Sequence, residues 1–186
     1  MDVLWLSDDN PTAANNLRTE AAQLGVEAQR LVFAKLLPAP EYLARYRCAD
    51  LFLDTLPFNA GTTASDALWA GLPLLTCTGE AFASRMATSL LTAIDLPELI
   101  TKTQEEYEAL AVELATNPAR LNALKQKLES NRLTTLLFDS KLFAKHLEDA
   151  CAQMYERYHE NLPPDHIYVE YLTFNATGAE GKPLLC

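Results

Sequence analysis

Along the first hundred residues, short apolar runs alternate with longer stretches in which apolar residues recur every three or four positions. Val3-Leu4-Trp5-Leu6 predicts a buried strand, broken by Asp8-Asp9-Asn10-Pro11. A helix follows over residues 12–24, with Gly25 as its stop. Leu31-Val32-Phe33-Ala34 predicts a second strand, and Pro40-Glu41 opens a short helix whose Tyr42 and Arg45, three residues apart, share a face. Leu51-Phe52-Leu53 predicts a third strand ending at Asp54-Thr55. A loop, LPFNAG, then leads into TTASDALWAG, a helix with Thr62 or Thr63 as N-cap, Asp66 in the first turn and Gly71 at the end. Pro73-Leu74-Leu75-Thr76 predicts a fourth strand, and residues 84–94 a helix with Met86, Leu90 and Ile94 on one stripe. Continuous apolar strands alternating with helices predict an α/β fold, a parallel sheet covered by helices on both faces.

After Pro97 the pattern turns helical. Residues 105–115 are amphipathic through Tyr107, Leu110, Ala111 and Leu114, and Asn117-Pro118 starts a further helix reaching about Ser130. A long helix over 140–159 carries Phe143, Leu147, Ala150, Met154 and Tyr158 at helical spacing. The expected organisation is one α/β lobe over 1–160 whose C-terminal helical section spans about 101–160, followed by an irregular tail, 161–186. No internal repeat is evident.

Charge narrows the partners. The net charge is −10; residues 1–100 hold 12 acids against 6 Lys/Arg, and 101–186 hold 13 against 9. Phosphate neutralisation on nucleic acid needs clustered Lys and Arg, so a nucleic-acid partner is not expected. A small phosphorylated ligand remains compatible, held by backbone amides at a helix N-terminus. No apolar run is long enough to cross a membrane, and the acidic start, MDVLWLSDDN, does not read as a signal peptide; a cytoplasmic setting is expected. Cys48, Cys77, Cys151 and Cys186, with His146, His159 and His166, have no metal-ligand spacing, so no metal is expected and the cysteines read as buried or terminal free thiols.

In open parallel sheets, ligands bind beyond the C-terminal ends of strands. The junction DTLPFNAGTTASD is the most loaded of these: Gly61 permits close backbone approach, Thr62 and Thr63 offer hydroxyls and N–H groups at the positive end of a helix, and Asp66 can accept from a ribose hydroxyl. A plain N-cap with a dipole-matching acid accounts for the same residues about as well. In LLPAPEYLARYR, Tyr42 and Arg45 pair a stacking ring with a donor fork suited to a nucleobase, or are simply a surface Tyr and a solvated Arg. In TGEAFASR, Glu80 and Arg85 either reach ligand or, the favoured reading, pair across the loop and cap a helix. No catalytic constellation and no GxGxxG or GxxxxGK[ST] motif is present.

The block ADLFLDTLPFNAGTTASDALWAGLPLLTCTGEAFASR resembles the catalytic region of the O-GlcNAc transferase / SPINDLY-like family, especially its bacterial members with tetratricopeptide repeats. The likeness extends from VLWLSDDNPTAANNLRTEA through LPELITKTQEEYEALA and NRLTTLLFD to PPDHI, about 165 residues. The resemblance implies the second, Rossmann-like lobe of a B-type glycosyltransferase fold, which holds UDP-N-acetylglucosamine while sugar passes to a Ser or Thr hydroxyl of a protein acceptor. SPINDLY relatives instead use GDP-fucose. By position, Leu37 meets the uracil through its backbone, Tyr42 stacks near the base and Arg45 contacts it. Gly61, Thr62 and Thr63 hold the diphosphate and Asp66 the ribose. No metal is implied, because the helix N-terminus and positive side chains stabilise the leaving diphosphate.

The chain departs from the pattern in three places. Ala39 stands where the animal enzymes have a ribose-contacting Lys, Tyr42 where they have a His against the base, and Gly61 where a His precedes the two threonines. The resemblance further implies that a phosphate-binding Lys, the first lobe with its general base and acceptor cleft, and the repeats lie outside this chain. Such a fragment is expected to bind donor weakly and not to transfer sugar alone, with part of the long C-terminal helix's apolar face uncovered. Two rival readings remain: a non-enzymatic binding domain that kept the fold, and another B-type transferase or a nucleotide-sugar epimerase.

Overall fold

Asn10 opens the first helix: its side-chain oxygen accepts from the N–H groups of Thr12 and Ala13, each at 3.1 Å, and Pro11 takes the first helical position, where no N–H is needed. The computed structural model describes residues 3–169, and these fall into two compact units divided between Cys48 and Ala49.

In the first unit, β1 (Leu4–Ser7) pairs in parallel with β2 (Leu31–Ala34), Leu4 opposite Leu31, around the crossover helix α1 (Pro11–Gln23). Gly25 follows the α1 cap at φ 76°, the left-handed conformation the stop requires. α2 (Ala39–Arg45) starts a residue before the expected Pro40. β1 is expected to be buried and is not: Leu4 and Trp5 are 44% and 38% exposed, and among the described residues of this unit only Ala14 and Leu31 are buried. Two four-residue strands and two helices supply too little apolar surface to enclose both faces of a sheet.

The second unit is built on a three-stranded parallel sheet in the order β3 (Phe52–Leu53), β4 (Leu74–Cys77), β5 (Ile100–Thr101). Phe52 faces Leu74 and Thr76 faces Ile100 in the register. Every residue of the central strand β4 is buried, Thr76 included, as a mainly apolar run predicts. α3 (Thr62–Ala70) and α4 (Met86–Ala93) make the crossovers; α5 (Gln104–Thr116), α6 (Pro118–Asn131) and α7 (Ser140–His159) follow. Leu68 of α3, Leu74 of β4, Leu91 and Ile94 around α4, Leu114 of α5 and Leu128 of α6 meet in one core. Each such leucine contributes roughly 1.5–3 kcal/mol by leaving water.

Several local expectations change. β5 falls where only helices were foreseen; two residues are too short to show a period of two. The buried stripe of α4 is Ala87, Leu91 and Ile94 rather than Met86 and Leu90, because a 3-10 turn at Phe82–Ser84 delays the helix and rotates its face. α5 is started by Thr103, whose hydroxyl accepts from the Glu106 N–H at 3.2 Å while the Glu106 carboxylate accepts from the Lys102 N–H at 2.8 Å. Asn117 caps α6 by accepting from the Arg120 N–H at 3.1 Å, and Gly71 ends α3 at φ 87°.

α7 has the expected bounds. No residue in it is buried, and Phe143, Leu147, Met154 and Tyr158 stand exposed. Beyond it the described residues 162–169 form neither helix nor strand, and the rest of the tail lies outside the described residues. Cys77 is a buried free thiol; Cys48 and Cys151 are exposed, so they are neither buried nor terminal, and Cys186 lies outside the described residues. No helix among the described residues is long and apolar enough to cross a membrane.

Candidate functional site

The strongest junction runs from the end of β3 to the start of α3. Phe52 and Leu53 complete the strand, and Asp54 continues its pairing by donating its N–H to the Leu75 carbonyl at 3.0 Å. Asp54 is only 7% exposed. Its Oδ1 accepts from the Ala60 N–H at 2.7 Å and its Oδ2 from the Thr76 hydroxyl at 2.6 Å. The Asp54 carbonyl accepts from the Tyr107 hydroxyl at 2.9 Å. Burial, and then the neighbouring Asp54 carboxylate and Cys77, push the Tyr107 phenol up to about 12, so it stays a neutral donor.

Between these anchors the chain turns through a cis Leu56-Pro57 bond. The Thr55 hydroxyl donates to the Phe58 carbonyl at 2.8 Å, and Asn59 donates through Nδ2 to the Thr55 carbonyl and through its N–H to the Ala83 carbonyl, both at 2.9 Å. The loop then delivers Gly61 as the N-cap of α3. Thr62 and Thr63 are therefore the first two residues of the helix, not its cap, and both are exposed. Their backbone belongs to the opening turn, which lies outside the helical ladder; that ladder's first bond runs from the Ser65 N–H to the Gly61 carbonyl at 3.0 Å. An exposed helix start of this kind presents N–H groups and a partial positive charge to an anion.

Asp66 sits in the second turn, not the first, because the helix begins at Thr62; it is half-buried. Gly61 has φ −102°, and a Cβ there would meet only Met86 Cε at 3.7 Å, an ordinary contact. Nothing in the chain itself demands glycine at this cap. Glu80 and Arg85 are exposed and do not pair with each other. That loop is instead shaped by Gly79, whose missing side chain leaves room for Ser84: a Cβ there would clash with the Ser84 hydroxyl and Cβ.

Leu37, Tyr42 and Arg45 belong to the first unit. Leu37 is exposed in the segment between β2 and α2. Arg45 donates from Nη1 to the Lys35 carbonyl at 2.7 Å and lies over the rings of Trp5 and Tyr42, 5.5 and 5.8 Å from their centroids. Tyr42 meets Tyr46 edge to face, with the two hydroxyls in contact. The same-face spacing of Tyr42 and Arg45 thus produces a real contact, and Arg45 is held in place by more than solvent. The second group, Gly61, Thr62, Thr63 and Asp66, lies together on α3. Asp54, Thr76 and Tyr107, which shape the approach to it, were not singled out from sequence. The available signals were a threonine inside an otherwise apolar strand and an aspartate closing the strand before it.

The glycosyl transferase family 41 model matches residues 1–147. This chain belongs to glycosyl transferase family 41. A family-41 relative, the UDP-N-acetylglucosamine--peptide N-acetylglucosaminyltransferase of Caenorhabditis elegans, is 37% identical over 165 residues, covering 89% of this chain and 14% of the relative. A probable enzyme of the same description from Arabidopsis thaliana, SEC, is 37% identical over 168 residues, covering 90% of this chain and 17% of that one. Among solved structures, an O-GlcNAc transferase mutant of Thermobaculum terrenum superposes with a TM-score of 0.80 at 32% identity, covering 86% of this chain and 31% of that chain. The parallel sheets flanked by helices are thus those of a family-41 glycosyltransferase. The chain spans only about one seventh of the length of the first of these relatives.

Proposed function

We propose that this family-41 chain is the donor-binding part of a protein O-glycosyltransferase, gripping the diphosphate of a nucleotide sugar of the UDP-N-acetylglucosamine type at the start of α3. The observation that carries the reading is the exposed opening turn at Thr62-Thr63, set at the C-terminal end of β3. Helix N-terminus, backbone amides and two hydroxyls together suit a diphosphate without a metal ion. In this reading Asp66 of the second unit serves the ribose; within the first unit, Leu37 and Tyr42 are assigned to the base by the family resemblance, and Arg45 lies over the Tyr42 ring. In this reading, transfer to a Ser or Thr hydroxyl of an acceptor protein takes place in a cytoplasmic setting and calls on a further catalytic lobe and tetratricopeptide repeats. The relatives described as UDP-N-acetylglucosamine transferases favour a uridine donor over GDP-fucose.

Calorimetric titration of the chain with UDP, UDP-N-acetylglucosamine and GDP tests the reading. UDP and its sugar are expected to bind measurably and GDP more weakly. A Thr62→Ala/Thr63→Ala double variant keeps the backbone amides and loses two hydroxyls, so its affinity for UDP should fall about tenfold, or ~1.4 kcal/mol. No heat from UDP, or equal binding by the double variant, sinks the phosphate assignment.

A further inference from the structure

We propose that Asp54 is a positioning residue for the anion grip: its buried carboxylate fixes the 55–61 loop and through it the attitude of the first turn of α3. The inference rests on the reading that α3 holds the donor phosphates, and it assigns a role to a residue outside the group that touches ligand.

Every polar group of Asp54 is engaged. The N–H is paired to Leu75 in the sheet, the carbonyl takes the Tyr107 hydroxyl, and the two carboxylate oxygens take the Thr76 hydroxyl and the Ala60 N–H. The first three partners belong to β4 and α5, the rigid core of the second unit. The fourth, Ala60, lies two residues ahead of the first helical residue. Asp54 therefore ties the loop's far end directly to the sheet.

Besides Asp54, the loop is held by buried Asn59, whose N–H reaches the Ala83 carbonyl, and by Ala60 packed against the core. Its large apolar side chains point away from the core: Leu56 is exposed and Phe58 is 73% exposed. Order in the segment therefore rests mainly on polar bonds, and the charge-assisted ones at Asp54 are the strongest kind. A negative side chain close in sequence to an anion grip opposes the ligand's charge rather than attracting it. What Asp54 offers the site is geometry.

That distinction sets the test. In Asp54→Asn the amide oxygen still accepts from the Ala60 N–H, its NH2 donates to the Thr76 oxygen, and the charge is gone. In Asp54→Ala both bonds are lost. Two readouts are taken on the 186-residue chain: amide hydrogen exchange across Asn59–Ala64 without ligand, and UDP titration. Asp54→Ala is expected to speed exchange at Ala60 at least about tenfold while the α6 amides keep their protection. It should also weaken UDP about tenfold, and Asp54→Asn should restore UDP affinity to within about threefold of the unaltered chain. Thr76→Val, a gentler change that removes one donor to the carboxylate, should move both readouts the same way by less. It carries the test if Asp54→Ala does not fold.

Unchanged exchange at Ala60 in Asp54→Ala, or in Thr76→Val if that variant alone folds, overturns the proposal. So does loop loosening with undiminished UDP affinity, or an Asn variant as weak as the Ala variant. Absence of UDP binding by the unaltered chain overturns the donor reading instead, and the exchange arm then decides by itself whether Asp54 sets the loop.

Discussion

The two units follow the same strand–helix–strand grammar, yet only one of them builds an interior. In residues 3–48 the buried apolar side chains are Ala14 and Leu31; from Ala49 on they form a continuous cluster drawn from α3, β4, α4, α5 and α6. The difference is one of cover. A two-stranded parallel sheet consists of two edges, whereas β4 has a strand on each side and its four residues are all buried. The lesson for the site concerns rigidity. Thr62, Thr63 and Asp66 stand on a helix whose Ala64, Ala67 and Leu68 are fully buried, while Tyr42 and Arg45 stand on a helix with no buried residue and depend on ring stacking and one bond to a carbonyl.

The largest expected effect tests that contrast directly. Leu91 is wholly buried in the second unit, and Leu91→Ala should cost about 2–5 kcal/mol of stability in denaturant unfolding. Leu17→Ala, on an exposed face of α1, should cost less than about 1 kcal/mol in the same experiment. Comparable losses at the two positions would show that the first unit has an interior equivalent to the second.

Much of the fold was legible because β3 and β4 lie in mainly apolar runs bounded by turn residues. Gly71, Asn117-Pro118 and the whole of α7 are where the pattern puts them. Misreadings came where a tertiary bond outweighs a local signal. Thr62 and Thr63 are good capping residues by type, but the tether from Asp54 to Ala60 starts the helix one residue earlier than they would, giving Gly61 the cap and moving Asp66 into the second turn. The rotated stripe of α4 has a similar origin in the 3-10 turn around Ser84, which no periodicity records. The bonds from Thr76 and Tyr107 to Asp54 span 22 and 53 residues, beyond the reach of any local window.

A middle-sized effect concerns Tyr107. Its phenol is raised in the fold, so the neutral form is the one the native state prefers. The associated stability is complete below pH ~10, the unfolded value, and is lost as pH rises through about 12. The chain should therefore lose thermal stability between those limits more steeply than Tyr107→Phe does. At pH 7 the Phe variant should be the less stable one, by about 1 kcal/mol, because the Asp54 carbonyl loses its side-chain donor. Parallel pH profiles for the two proteins would exclude Tyr107 as the group responsible.

The smallest effect marks the surface of the same unit. Lys127 of α6 donates to Glu98 at 2.7 Å and stands 3.8 Å from Asp95. Burial works to raise the Glu98 carboxyl, but the Lys127 hydrogen bond and charge outweigh it and hold the group below its usual value. A lowered carboxylate contributes stability above its unfolded value, and this is lost as pH falls through the folded one. Both side chains are partly exposed, at 32% and 43%, so solvent screens the pair and little of that contribution survives. Glu98→Gln should change unfolding stability at pH 7 by no more than about 0.5 kcal/mol, and 1 M salt should erase the difference. A larger or salt-insensitive loss would mean that the covered region extends past α6 to this edge, and that the boundary between core and rim lies farther out than the buried leucines mark it.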